Sequence, residues 1–513
     1  MKQTFLVMTL FAALVAAGCG GGERQAAPAG ERELVIAFDT APTNLDARVG
    51  NDQASGRIFD LIYAGLVRFT PQADHAPDVA ERWEVSEDGL TLTFHLRPNL
   101  TFHDGRPLTA QDVLYTYESL MAEDFNSPKK SGYASVASFE APDDRTFVIR
   151  MREPNAGILD NLTLGIVPRD ADPEMFKTKP IGAGPYKVAE FRTDERVVLD
   201  GFEGFHAGAP NIDRVVVRVI PDATTRVLEL RRGSVDFVLN AIPFDAIAQF
   251  KNSDEHKVVA EPGSIYQYLA FNLRDPNLDD ERVRQAIAHG IDRQRIVEDL
   301  LLGYGEVTNS MLPRSHWAHA PNLPEYPYDP NRAKQLLDEA GHPDPDGDGP
   351  GTRFNLVYRT STDAESNQQA QMIQQMLGQI GIGVEIQSNE FGTFYEAIQR
   401  GNYQIFSLRR AGVNDPDFYT IIFHSDALPP EGQNRGFYIN ERVDQLLDDA
   451  RATFNRDRRR ELYQQVQQIL AEELPYVSLY HRSNVAVMDG GLAGYEMYPA
   501  GFLLSVPKMR WTD

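Results

Sequence analysis

The chain has 513 residues, a single Cys and a formal net charge of −24, with 42% hydrophobic and 24% charged residues. That balance supports a buried core spread over more than one domain and leaves Cys19 no partner for a disulfide within the chain. The acidic surface repels nucleic-acid phosphates and anionic lipid, which excludes a nucleic-acid role.

Met1-Lys2 precedes an apolar run from Phe5 to Ala17. A basic start, a short apolar core and small residues at its end make a secretory signal. The run is shorter than the roughly 20 apolar residues a membrane span takes. Ala17-Gly18 directly before Cys19 resembles a bacterial lipobox, although Ala16 stands where Leu is usual. Residues 1–19 are therefore read as a lipoprotein signal peptide with Cys19 as the lipidation site, the alternative being an ordinary cleaved signal. Residues 20–32, rich in Gly, Ala and Pro, read as a flexible spacer.

Order is expected from Glu33, with a buried strand at 34–38 and a turn-rich piece at 40–46. Ile58, Leu61, Ile62 and Leu66 fall at helical spacing. Residues 83–85 and 90–96 alternate apolar with polar around Ser86-Glu87-Asp88-Gly89, a hairpin pattern. Thr109 is placed to cap a helix. Strands are expected at 147–151, 215–220 and 236–239, with a helix at 223–232. Further on come helices at 283–291, 332–340 and 368–380, strands at 354–358 and 384–386, and paired helices at 443–453 and 458–472. Such alternation defines an α/β chain in at least two blocks.

No nucleophile, base or metal constellation stands out, so catalysis has nothing to rest on. In Phe102-His103-Asp104-Gly105, adjacent strand side chains point to opposite faces, and Asp104-Gly105 reads as a turn. Gly182 and Gly184 lack the third Gly of a dinucleotide fingerprint and suit close backbone passage. Asp344, Asp346 and Asp348 alternate as in a calcium loop, but Asn355 stands where the closing acid belongs. His316 and His319 have a spacing that suits a metal pair, yet Pro313 and Pro321 bracket them and argue for a loop. No metal and no cofactor is expected.

Several segments together resemble the extracytoplasmic solute-binding proteins of ABC importers, family 5, the peptide/nickel group. They are Ala76 through Arg97, Phe102 through Val113, Ile181-Gly182-Ala183-Gly184-Pro185-Tyr186, Val283 through Arg293, Tyr328 through Ala333, and Leu474-Pro475-Tyr476. The resemblance implies a periplasmic-binding-protein-like α/β fold of two lobes with an extra inserted domain (type II, cluster C). Domain I would join 33–55, 180–262 and 483–513, domain II would be the insertion 56–179, and domain III would be 263–482. Ligand would lie between domains I and III.

The segment from Ser407 to Phe418 is similar to a ligand-contact loop of that family. Peptide-binding members usually carry a Trp there, and an Asp three residues before Asp-Pro that pairs with the peptide ammonium. Here Arg409 and Gly412 occupy those positions, so the amine anchor is absent. Asp415 or Asp417 is one substitute, for a cation, against the reading that Asp415 caps a helix begun by Pro416. Arg409 and Arg410 are the other, forking onto a carboxylate or phosphate. Arg359, Tyr266, Tyr268, Asn272, Asn414 and Asn44 complete the expected ligand-binding set. The resemblance implies a monomeric, non-enzymatic, lipid-anchored receptor outside the cytoplasmic membrane, partnered by an importer permease and carrying an oligopeptide or peptide-like solute. A nickel chelate or other small solute, a sensor subunit, and a secreted hydrolase are the alternatives.

Overall fold

The computed structural model describes residues 32–170, 173–347, 349–410, 412–430 and 432–512. The signal peptide, Cys19 and the spacer to residue 31 lie outside them, as do Asp348 and Ala411. Among the described residues no helix is long and apolar enough to cross a membrane.

Glu33–Phe38 is buried at all but its first position and runs parallel to Arg214–Val219 on one side and Phe237–Leu239 on the other. A strand covered on both faces reads as a continuous apolar run. Arg196–Gly201 and Tyr186–Arg192 extend this group antiparallel to its edge. A second parallel trio has Phe354–Ser361 between Ile382–Asn389 and Ile405–Arg410.

Two long antiparallel strands, His256–Phe271 and Tyr476–Asp489, join the trios into one sheet of eleven strands. Residues 256–262 pair with 483–489 beside Phe237–Leu239, and residues 265–270 pair with 476–482 beside Ile405–Arg410. The register breaks between Pro262 and Ile265, a β-bulge. At that break a Cβ on Gly263 would stand 2.8 Å from the Arg482 carbonyl oxygen, so a glycine lets the strands meet. The Ser264 N–H donates to the Pro499 carbonyl at 2.8 Å, and Asn484 Nδ2 donates to the Tyr498 and Pro499 carbonyls at 3.1 and 2.7 Å.

A separate antiparallel sheet orders Ala80–Val85, Thr91–Leu96, Thr146–Met151 and Val136–Asp143. The helix Ala110–Met121 covers it, entered at Thr109, whose N–H donates to the Asp112 carboxylate at 3.0 Å. Tyr117 from this helix stacks on Phe139 and Phe147 at 5.3 and 5.6 Å. The region touches the later part of the chain through Trp317 N–H to the Gln72 carbonyl at 3.1 Å, Ala156 N–H to the Arg451 carbonyl at 2.9 Å, and the Arg456–Asp74 ion pair at 2.6 Å.

The expected paired helices are present as Glu441–Ala452 and Arg456–Glu473, capped by Asn440 and Asn455. One helix start differs from expectation. Asp415 does not cap a helix at Pro416: the helix is Phe418–Phe423, entered from Asp417, and Asp415 Oδ1 accepts the Asp417 N–H at 2.7 Å in a preceding turn.

Candidate ligand-binding site

In open α/β sheets the crevice lies outside the carboxyl ends of parallel strands. Phe354–Ser361 and Ile405–Arg410 end side by side, and the second runs into the loop carrying Gly412 to Asp417. Along Ile405–Arg410, Arg410 stands opposite Tyr266, Arg409 opposite Gln267 and Leu408 opposite Tyr268. Neighbouring residues therefore face opposite sides of the sheet. Arg409 and Arg410 point to opposite sides, and the two would meet an anion separately rather than together.

Arg409 Nη1 donates to Glu365 Oε1 at 2.9 Å. Glu365 also accepts from Arg482 Nη1 at 3.0 and 2.9 Å, and the Arg482 guanidinium lies 4.7 Å from the Phe244 ring centroid. One carboxylate thus bridges two cations beside the long strands. Glu365 and Arg482 carry no motif and were not anticipated from the sequence. Glu365 belongs to the first turn of Ala364–Gln379, directly after a strand of the parallel trio.

On the other face, Arg410 lies 4.6 Å from the Phe418 ring centroid and donates to Gln433. Arg359 stands opposite Phe406, which puts it on the Arg410 face; its Nη1 is 3.4 Å from Asn389 Oδ1. Gly412 has φ of +73°, and nothing lies within 4 Å of where its Cβ would stand. The position that carries an anchor in the resembled loop therefore faces open space.

Asp415 and Asp417 each have a resident cation. Asp415 takes Arg459 Nη2 on both oxygens at 3.1 and 3.2 Å, and both residues are buried. Burial opposes ionisation of Asp415, but the Arg459 charge wins and holds its carboxyl below the usual range. Asp417 takes Arg451 Nη2 at 2.9 Å and the Thr420 hydroxyl at 2.8 Å, yet burial raises its carboxyl. The Asn414 carbonyl accepts from His316 Nε2 at 2.7 Å.

Tyr266 bonds Ser478 through its hydroxyl at 2.7 Å, and Tyr268 stacks between Tyr266 and Tyr476 at 5.4 and 4.8 Å. Asn272 Nδ2 donates to the Tyr403 and Gly401 carbonyls at 2.9 and 3.2 Å, tying two backbone segments together. Asn44 Oδ1 accepts the Asp46 N–H at 2.8 Å within its own turn.

The His316–His319 pair is structural. His316 Nδ1 accepts the Ala318 N–H at 3.1 Å, so Nε2 carries the proton it donates to Asn414. Burial pushes His316 down to about 4, and it stays neutral. His319 Nδ1 lies 3.0 Å from the Leu312 carbonyl. In the acidic loop, Asp344 Oδ1 accepts the Asp346 N–H at 3.2 Å and Asp346 Oδ2 accepts the Gly351 N–H at 2.9 Å. No metal-holding cluster of His, Cys, Asp or Glu occurs among the described residues.

His103 and the Gly182-Ala183-Gly184 segment form one device. His103 Nδ1 accepts the Gly182 N–H at 3.2 Å and Nε2 donates to the Gly184 carbonyl at 3.1 Å. A Cβ on Gly182 would stand 1.9 Å from the Ile62 carbonyl oxygen. The close passage expected of these glycines is what the backbone makes.

A mixed sheet with two parallel trios joined by crossing strands, and a loop cluster at the strand ends, is the frame of a solute-binding protein. The chain belongs to the bacterial extracellular solute-binding proteins, family 5, whose model matches residues 75–428. Among curated relatives, the chain is 29% identical over 500 residues to the oligopeptide-binding protein AppA of Bacillus subtilis, covering 93% of this chain and 91% of that protein. Among solved structures, HbpA2 from Haemophilus parasuis superposes with a TM-score of 0.85 at 26% identity, covering 94% of this chain and 100% of that one. NikZ from Campylobacter jejuni, in complex with Ni(L-His), superposes at 0.72 with 28% identity, covering 93% and 99%. The matched family is described as solute-binding, and AppA is named as a binding protein rather than an enzyme.

Proposed function

We propose that this chain is a lipid-anchored, non-enzymatic receptor that closes two lobes on a small solute and hands it to an ABC importer permease. One lobe is residues 33–262 with 483–513, including the insertion 56–179, and the other is 263–482. The single observation that carries this reading is the crossing strand pair. Its only register break, apart from a one-residue irregularity between Gln267 and Tyr268, lies where 262–265 face 482–483, which is where rotation of one half against the other costs least.

The solute is an oligopeptide or a peptide-like molecule. Support comes from the curated relatives named as peptide-binding, AppA among them. Against an amine-anchored peptide stands Gly412 at the anchor position, so the chemistry that selects the solute differs from the resembled loop. The extracytoplasmic location is supported by the matched family of extracellular proteins, and the anchor on Cys19 by the lipobox-like Ala17-Gly18-Cys19.

The test is native mass spectrometry of the purified protein, followed by thermal-shift screening against pooled peptides, nickel–histidine and oligosaccharides. A small solute bound without covalent change, with a raised melting temperature, is the expected result. Turnover of pooled peptides would reverse the reading in favour of a hydrolase.

A further inference from the structure

The two lobes of the receptor reading touch at the ribbon broken at 262–265, and again at a seam between the insertion and the later stretch. The proposed closure leaves that seam without a task. Its rim holds the Trp317–Gln72 and Ala156–Arg451 backbone bonds and the Arg456–Asp74 ion pair. Its interior brings two charged pairs within reach of each other. On the insertion, His75 Nε2 lies 2.8 Å from Asp160 Oδ1; on the other side, Arg459 holds Asp415 at 3.1 Å. Burial lowers His75, but Asp160, with Asp415 across the seam and Asp74 beside it, outweighs burial and raises the imidazole. Each carboxylate has its own cation, so the seam leaves no charge unpaired. It also fastens the ligand-type loop: a Cβ on Gly157 would stand 3.5 Å from Asp417 Cβ.

A rigid rotation leaves still only the points on its axis. The crevice lies outside the carboxyl ends of the two parallel trios. Among the described residues no backbone hydrogen bond links 39–46 or 240–243, which follow strands of the first trio, to 412–417, which follow the second. The lobes therefore meet at the ribbon and at the seam but not across the strand ends. A contact made only by closing would come with those ends drawn together. The centre of the seam is also slack. Trp83 and Leu159 on one side and Trp317 and Phe454 on the other border a recess of about 190 Å³. Core-like packing would resist tilting; loosely opposed aromatic surfaces allow it while the rim bonds hold.

We propose that this seam is the second bearing of the swing: it stays made whether the lobes are open or closed, and with the 262–265 kink it fixes the axis about which 263–482 turns. This rests on the receptor reading above and gives the insertion 56–179 a task that needs no contact with solute. The 415–417 end of the ligand-type loop then stays against the insertion throughout the motion.

The test uses the full chain with Cys19→Ser, in which Gly157→Cys and Asp417→Cys place two thiols at disulfide distance across the seam. Reduced and oxidised forms of one preparation are compared, so the loss of Asp417 cancels. The probes are a tripeptide pool and nickel–histidine. Equilibrium dialysis should give affinities within about twofold, and small-angle scattering the same contraction, in both forms. Binding or contraction lost on oxidation and restored by reduction overturns the bearing, because the seam would then have to part. The unsubstituted protein supplies a second measurement that does not depend on the thiol variant folding. Hydrogen exchange at the Trp317 and Ala156 amides should stay within about threefold when the contracting probe is added. Protection that rises by about tenfold or more makes the seam a latch formed on closing, which overturns the bearing and leaves the receptor reading standing. An unsubstituted protein that neither binds nor contracts with either probe removes the receptor reading, and the bearing falls with it.

Discussion

Asp415 is a buried carboxylate whose counter-charge comes from another helix. Beside Asn414 and Asp417 in a ligand-type loop it looks available, yet Arg459 holds it inside the protein. Asp415→Asn leaves a buried guanidinium unpaired, and urea denaturation should record a loss of about 3–5 kcal/mol. Arg409→Ala is the contrast: its pair with Glu365 is part-exposed, so stability should change by less than about 1 kcal/mol. The residue identities around 409–417 were legible as a loop of consequence, but their pairing was not. A carboxylate's partner lies tens of residues away, at Arg451 and Arg459, and single-sequence spacing carries no distance of that kind. The opposite facing of Arg409 and Arg410, by contrast, follows from strand alternation, once 405–410 is taken as a strand.

Among elements, the two motif segments around His103 and Gly182 make sense together. The imidazole bridges a donor and an acceptor of the 182–184 backbone, which lies flush on the end of the helix Gln53–Ile62. Gly182→Ala should destabilise by about 3 kcal/mol or prevent folding, because the obstacle is backbone and has nowhere to move. A lowered melting temperature with unchanged ligand selectivity in any folded fraction is the expected signature. Local pattern was enough for the amphipathic helices and for the 83–96 hairpin. It was not enough for His256–Phe271 or Tyr476–Asp489. The first is interrupted by Pro262-Gly263, a pair that signals a turn, and the second mixes His481, Arg482, Ser483 and Asn484 into its middle. Both interruptions are where the strands pass from one trio to the other, so the feature that defines the architecture is also what hides it.

For the whole molecule, acid sensitivity follows from buried histidines. His316 and His481 are nearly inaccessible and are pushed from an ordinary 6.5 down to about 4, chiefly by burial. Unfolding lets each take a proton below about pH 6.5 that the fold refuses until about pH 4. The contribution of these two histidines is therefore full above about 6.5 and is lost as pH drops, by about 3 kcal/mol per histidine by pH 4, against an opposite contribution from Asp60, whose carboxyl burial raises to about 7. Denaturant midpoints measured from pH 7 to 4 should fall more steeply in the wild type than in His316→Gln, the difference between the two curves being the histidine's share. Small-angle scattering should show a smaller radius of gyration with solute bound than without; an unchanged profile at saturating solute would refute lobe closure.

The ribbon shared by both trios also restricts the kind of motion available. Sliding either long strand by one residue would turn every core side chain toward water, so translation of one side past the other is forbidden. For the proposed closure, what remains is a swing about the Pro262–Gly263–Ser264 kink. Guests of different girth would then be accommodated by the angle at which the jaws stop, with the spacing at their common root unchanged.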